Sequence, residues 1–297
     1  MKRCVGFGLL LVIASVAQQP VVAPDADSVV TFSGGTRLVE AYASVFDARG
    51  NPIPNLTKDK FHVLDGGAEQ PLVAFEGAED GLSCALLLDI TGSMEEFLPA
   101  LKNSVLKFLD ELRPEEEVAY YSFNSSVQLA QPFTKDKKLV KQAVMRARAN
   151  GLTALFDAVS RVSRDLEARP GKKALVLFTD GHDTASSLTS SGAARRARLN
   201  GVPIYALAQG EALKSLPLIH ALEQLSADTG GMTFRLEKPD KISEVFSEIS
   251  RDMKHTYLLS WKPPQEPAGS AVWRPVKISV NGVANARIRA RQGYLTQ

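Results

Sequence analysis

The sequence predicts an α/β fold, a doubly wound and mainly parallel sheet, with a flanking β-sandwich formed from N- and C-terminal segments. Three observations carry this reading. From Ala85 to about Asp252, short apolar runs alternate with longer stretches of helical period. Before and after that block, apolar and polar residues alternate in short segments broken by turn sequences. With 297 residues, 44% of them hydrophobic and 23% charged, the chain is long enough for one large core and a smaller one.

The first residues are expected to stand outside that fold. Lys2 and Arg3 precede the apolar run "VGFGLLLVIA", and "SVA" at 15–17 supplies the small residues of a cleavage site, so residues 1–17 read as a secretory signal peptide. The apolar run is shorter than the ~20 residues a spanning helix needs, which makes a retained anchor the weaker alternative. A secreted or periplasmic protein with no stable membrane span follows. Residues 18–30, "QQPVVAPDADSVV", read as a flexible leader. Cleavage takes two cations from a formal net charge of +2, leaving about zero, so composition offers no electrostatic case for nucleic acid. Cys4 leaves with the signal. Cys84 is then alone, in an apolar run where a small buried thiol is expected rather than a nucleophile.

Residues 31–79 are the expected first part of the sandwich. "LVEAYASVFDARGNPIP" and "KFHVLDGGAEQPLVAF" alternate in polarity and break at Gly-Asn-Pro and Asp-Gly-Gly. Residues 80–254 form the α/β domain. Its strands are expected at "CALLLD", at "VAYYSF" (118–123), at "ALVLFTD" (174–180), at "PIYALA" (203–208) and at "GMTFRL" (231–236). Phe97, Leu98, Leu101, Val105, Phe108, Leu109 and Leu112 recur at three and four residues, which marks a helix closed by Pro114. Further helices are expected at about 139–147, 155–162, 193–199, 216–225 and 242–253. Strands this apolar, alternating with helices, require a sheet covered on both faces.

Residues 255–297 are the expected second part of the sandwich, with "TYLLSWKPP", "WRPVKISV" and "ARIRARQGYL" as strands and Asn281-Gly282 as a hairpin turn. About seven strands result, the count of an immunoglobulin-like sandwich into which the α/β domain is inserted. Insertion requires the strand around Val39–Val45 to meet the strands after Thr256. Two unrelated β appendages are the alternative.

Function is written at the ends of the strands. "ALLLDITGSMEEF" runs an apolar strand straight into Asp89, Thr91 and Ser93, and in an open parallel sheet ligands bind where the loops at the carboxyl ends of the strands converge. Two more loops bring oxygens: "ANGLTALFDAV" carries Thr153, whose hydroxyl can cap a helix or face a metal, and "LFTDGHDT" carries Asp180. Two carboxylates and three hydroxyls form a hard ligand set that suits Mg²⁺ or Mn²⁺ better than Zn²⁺. Around them, His182 and Asp183 are expected at the rim, with Asp183 as an alternative third carboxylate. Asp157 reads as a supporting acceptor or a solvated side chain, and Glu95 and Glu96 complement a helix dipole. "AARRARLNG" reads as a solvated helix face, with a docking patch for an acidic partner as the alternative. HExxH, Walker A and G-x-S-x-G patterns are missing from the sequence. Two other functions stay open: a hydrolase in which the acids and a metal activate water, and a purely structural role with Ser93 and Thr153 as helix caps.

Taken together, "DITGS", "LTALFDA" and "FTDGHD" resemble the metal-ion-dependent adhesion site (MIDAS) of von Willebrand factor type A (VWA) domains, the Rossmann-like fold of integrin I domains, over about Leu82–Asp252. The flanks resemble those of the bacterial VWFA-related family of exported proteins. The resemblance implies a metal site of Asp89, Thr91, Ser93, Thr153 and Asp180, in which the Thr91 and Ser93 hydroxyls bind directly and at least one carboxylate acts through water. Thr91 departs from the serine common in the family while keeping its hydroxyl. It also implies a non-enzymatic, cation-dependent protein-binding module for adhesion or scaffolding, whose metal accepts a carboxylate from a partner protein.

Overall fold

Eight consecutive residues, Leu82–Asp89, are all buried, which only a central strand covered on both faces permits. A computed structural model of the chain describes residue 1 and residues 38–180, 183–264 and 272–296; the expected signal peptide beyond Met1 and the leader lie outside these described residues. In chain order its elements are β1 (Val39–Phe46), β2 (Phe61–Asp65), β3 (Ala68–Gln70), β4 (Leu72–Glu76), β5 (Leu82–Asp89), α1 (Leu98–Glu111), β6 (Glu117–Phe123) and β7 (Val127–Thr134). Then follow α2 (Lys137–Arg146), α3 (Leu155–Glu167), β8 (Lys172–Thr179), α4 (Ser190–Asn200), β9 (Ile204–Gln209), α5 (Glu211–Lys214), α6 (Leu216–Thr229), β10 (Met232–Leu236) and α7 (Ile242–Lys254). The last strands are β11 (Thr256–Trp261), β12 (Trp273–Val280), β13 (Arg287–Ala290) and β14 (Gly293–Leu295).

The central sheet has the order β10-β9-β8-β5-β6-β7 and is parallel except for β7. Side chains alternate across β5: Cys84, Leu86 and Leu88 pack with α1, α2 and α7, while Ala85 and Leu87 pack with α3, α4 and α6. β7 departs from the expected strand set. None of its residues is fully buried, so it carries no apolar run, and its Pro132 is tolerated because the strand lies on the sheet's antiparallel edge. α5, at four residues, is too short to show a helical period.

The outer strands form two four-stranded antiparallel sheets, β13-β1-β11-β4 and β14-β12-β2-β3, so the described residues give eight strands where about seven were expected. The additional strand arises because "ARIRARQGYL", expected as one strand, divides into β13 and β14. β1 pairs with β11 from Val39 opposite Trp261 to Ser44 opposite Thr256, which joins the two ends of the chain and excludes unrelated appendages. One core serves both sheets: Ala41, Val45, Tyr257 and Trp261 pack with Phe61, Val63, Val276 and Tyr294. Buried Asp65 on β2 ties the sheets further, accepting from Trp261 Nε1, Tyr294 Oη and Arg274 Nε, each at 2.8 Å. Trp273, by contrast, stays 42% exposed.

Where the sandwich meets the α/β domain, the contacts are polar and buried. Lys172 begins β8, and its ammonium donates to the carbonyls of Gly77 (3.0 Å), Ala78 (2.9 Å) and Thr256 (3.2 Å), on the segments entering and leaving the domain. Burial lowers its pKa to about 8. Lys173 N–H donates to the Tyr42 hydroxyl (3.1 Å), and Arg289 of β13 pairs with Asp252 near the end of α7. Replacing Lys172 by Met keeps most of the apolar stem and leaves three buried acceptors without their donor. Urea unfolding of Lys172→Met is expected to show a loss of about 2–4 kcal/mol at unchanged slope.

Candidate metal site

Strand order explains why the oxygens meet. The chain leaves β5 toward β6 on one side and returns to β8 on the other, so the crevice between the carboxyl ends of β5 and β8 is a switch point. Asp89 is the last residue of β5, and Asp180 follows the last residue of β8. Between β5 and α1 the chain makes a short 3₁₀ turn, Gly92–Met94, that turns Ser93 outward while Asp89 and Thr91 stay buried.

Four of the five expected residues are linked directly. Thr91 N–H donates to Asp89 Oδ1 (3.0 Å), Thr91 Oγ1 lies 3.1 Å from Ser93 Oγ, and Ser93 Oγ donates to Asp180 Oδ1 (3.1 Å). Because Ser93 has one proton to give, Thr91 is the donor in the hydroxyl pair. Thr153 reaches the same end of the sheet by a separate route. Gly151, held at φ +79° in the conformation that glycine adopts without strain, accepts from Gly92 N–H (3.4 Å), and Asn150 N–H donates to Ile90 O (2.8 Å). The Thr153 hydroxyl has no hydrogen-bond partner among the described residues. Its backbone is fixed instead, with N–H donating to Thr184 Oγ1 (3.0 Å) and the carbonyl accepting from Thr184 N (2.8 Å) and Ala185 N (3.0 Å).

Neither the Ser93 nor the Thr153 hydroxyl caps a helix. Ala154 is the N-cap of α3 and makes no side-chain cap; the first N–H groups of that helix go to Asp183 (from Phe156, 3.0 Å) and to Ser186 Oγ (from Asp157, 3.0 Å). Asp183, the alternative third carboxylate, is thus engaged as a cap of α3. Asp157 accepts from Ser187 N (2.8 Å) and Leu188 N (3.0 Å), so it fastens the loop after β8 rather than standing in solvent. Glu95 and Glu96 are exposed ahead of α1, and His182 lies outside the described residues. Among the described residues no three His, Cys, Asp or Glu side chains converge; the cluster is two carboxylates with hydroxyls.

Both carboxyl groups sit unfavourably for charge. Burial pushes Asp89 up to about 6, against the opposing pull of the hydrogen bonds from Thr91 and from Thr179, whose hydroxyl donates to Asp89 Oδ2 at 2.9 Å; Asp180 adds a smaller repulsion. Burial likewise raises Asp180, opposed by the Ser93 hydrogen bond.

The family profile described as von Willebrand factor type A domain matches residues 84–248, more than half of the chain. The chain belongs to the VWA family. No curated protein matches it in sequence. Among solved structures, a von Willebrand factor type A protein from Catenulispora acidiphila is similar at 14% identity and TM-score 0.53, over 86% of this chain and 73% of that one. The vWF domain of the type V pili tip protein Mfa5 from Porphyromonas gingivalis matches at 11% identity and TM-score 0.51, over 64% of this chain and 98% of that one. The PilB minor pilin from Streptococcus sanguinis matches at 13% and TM-score 0.50, over 60% of this chain and 62% of that one. At these identities the likeness is one of fold.

In this VWA domain Thr179, Thr184 and Ser186 support the cluster without standing out in the sequence, and Asp183, which the sequence places at the rim, does so as a cap. Thr179 alone carries a local signal, as the residue before the acid that ends a strand.

The shift at Asp89 sets a stability dependence. Its folded pKa lies above the unfolded value, so the contribution is fully present below about pH 4 and is lost as pH rises through 6, a change of about 3 kcal/mol. Asp89→Asn removes that dependence. In a chelator, its denaturation free energy is expected to exceed that of the parent by about this amount at pH 8 and to match it near pH 4.

Proposed function

We propose that the chain is an exported VWA module that binds Mg²⁺ or Mn²⁺ through Asp89, Thr91, Ser93, Thr153 and Asp180 and uses it to accept a carboxylate from a partner protein. The observation that carries this is the run of oxygens Thr91 Oγ1, Ser93 Oγ and Asp180 Oδ1, each 3.1 Å from the next. Neighbouring ligands of an octahedral ion bound at about 2.1 Å stand roughly 3.0 Å apart, so the spacing suits such a cation. Thr153 offers a further hydroxyl free of other partners among the described residues. A cation held largely by neutral hydroxyls supplies unneutralised positive charge, hence an attraction for one more anionic oxygen.

The chain's own residues divide the work. Asp89 provides charge from beneath, its two oxygens positioned by Thr91 N–H and the Thr179 hydroxyl. That engagement favours anchoring over proton transfer and so weighs against the hydrolase alternative. Neither Ser93 nor Thr153 caps a helix, which weighs against the purely structural alternative. Beside the cluster, Leu152 is 60% exposed on the Thr153 loop and offers apolar surface to a docking protein. A pilus tip protein and a minor pilin with this fold accord with an adhesive role. Export rests on Lys2, Arg3 and the apolar run behind them.

Calorimetric titration of Mg²⁺ and Mn²⁺ into chelator-treated protein is expected to show binding that disappears in the double variant Asp89→Ala, Ser93→Ala. If neither heat nor melting temperature responds to millimolar cation, the cation reading fails. Metal-dependent turnover of ester or phosphoester substrates would replace it with the hydrolase.

A further inference from the structure

An open groove of about 360 Å³ runs along α3, walled on one side by Ser125 and Ser126 after β6 and on the other by Leu188 and α4. Its charged lining is one-sided: Arg161 and Arg164 of α3 and Arg196 of α4 face a single acid, Asp157. That acid is committed to the N–H groups of Ser187 and Leu188. The first N–H groups of α3 are committed too, to Asp183 and Ser186, so the groove's positive character belongs to the arginines and not to the helix end.

These guanidinium groups retain donors. Arg161 pairs with Asp165 one turn on (2.9 Å), an exposed contact that water screens. Arg196 Nη1 donates to Ser160 Oγ (3.2 Å), and the Arg164 guanidinium has no ion pair among the described residues. The arginine fork matches a carboxylate in two parallel hydrogen bonds. Standing on two helices, the three cations suit an extended acidic segment better than one compact anion. The groove also abuts the proposed cation position: its lining includes Ala154, next to Thr153, and Ser125 Oγ accepts from Leu152 N–H (3.0 Å).

We propose that this groove receives the acidic side chains neighbouring the carboxylate bound at the cation, which makes the partner a protein segment bearing several Asp or Glu residues. The proposal rests on the function given above and deepens it, with Arg161, Arg164 and Arg196 as the determinants of partner choice.

The probe is a fluorescein-labelled decaglutamate peptide, titrated by fluorescence anisotropy against the full chain in Mg²⁺ and in EDTA, with decaglutamine as control. Wild type is expected to bind decaglutamate in Mg²⁺ and more weakly in EDTA. The variant Arg164→Glu, Arg196→Glu is expected to lose about tenfold or more in both buffers, with melting temperature and Mg²⁺ titration unchanged. The corresponding lysine variant should recover part of the loss. Equal affinity of the charge-reversed variant overturns the groove, as does binding of chondroitin sulfate without binding of decaglutamate. Arginine-dependent peptide binding in EDTA with no Mg²⁺ heat keeps the groove and removes the cation reading. Mg²⁺-dependent binding that ignores the arginines does the reverse.

Discussion

Paired from Val39 opposite Trp261 to Ser44 opposite Thr256, β1 and β11 hold the two ends of the chain side by side, and the position of the VWA domain follows from that pairing. The domain enters after Gly77 and Ala78 and leaves at Thr256, and Lys172 gathers carbonyls from all three. A buried ammonium tolerates this position because each donor has an acceptor; the same three carbonyls would be costly without it. Further contacts fix the same end of the domain. Arg289 reaches from the sandwich to Asp252 on α7, which also accepts from Tyr205 Oη (2.5 Å). The described residues from 38 onward accordingly form one compact unit.

At the opposite end of the sheet the constraint is electrostatic. β5 lies between β6 and β8, so its last residue is buried beneath the converging loops. A carboxylate there is a liability for folding unless something positive is brought to it, as the raised pKa of Asp89 records. Hydrogen bonds from Thr91 and Thr179 recover part of the cost. A short chain of hydroxyls then links this buried acid to Asp180 nearer the surface. Under the proposed function, stability and cation binding are thus opposed at this one residue, the kind of trade-off by which a site costs the fold stability.

Legibility in the sequence followed the range of the forces involved. β5 and α1 were readable because burial on both faces or on one stripe imposes an apolar pattern on adjacent residues. Asp89, Thr91 and Ser93 were readable for a similar reason, since a strand that ends in an acid and two hydroxyls is a local event. β7 was not, because an edge strand needs no apolar run, and β3 and β14 are too short to alternate. The capping role of Asp183, which the sequence places only at the rim, is illegible for a different reason: its cap on α3 links residues 27 apart in sequence, and only the packing of β8 beside β5 brings the two loops together. The groove likewise combines arginines from helices separated by a strand and a loop.

The divided sandwich also orders events in time. β1 and β2 are made early, yet their partners β11 and β12 lie about two hundred residues later in the chain, whereas β5, β6 and β8 find one another within the domain. Contacts that far apart carry a large loop-closure cost until the intervening residues have compacted. The VWA domain is therefore the natural nucleus, and its completion brings Gly77 and Thr256 close enough for the sandwich to close. Until then β1, with Ala41, Ala43 and Val45 on its core side, presents an unpaired apolar edge. A chain built this way has its greatest exposure to aggregation between the synthesis of β1 and that of β11, and protection in that interval has to come from speed of the inserted domain or from a chaperone.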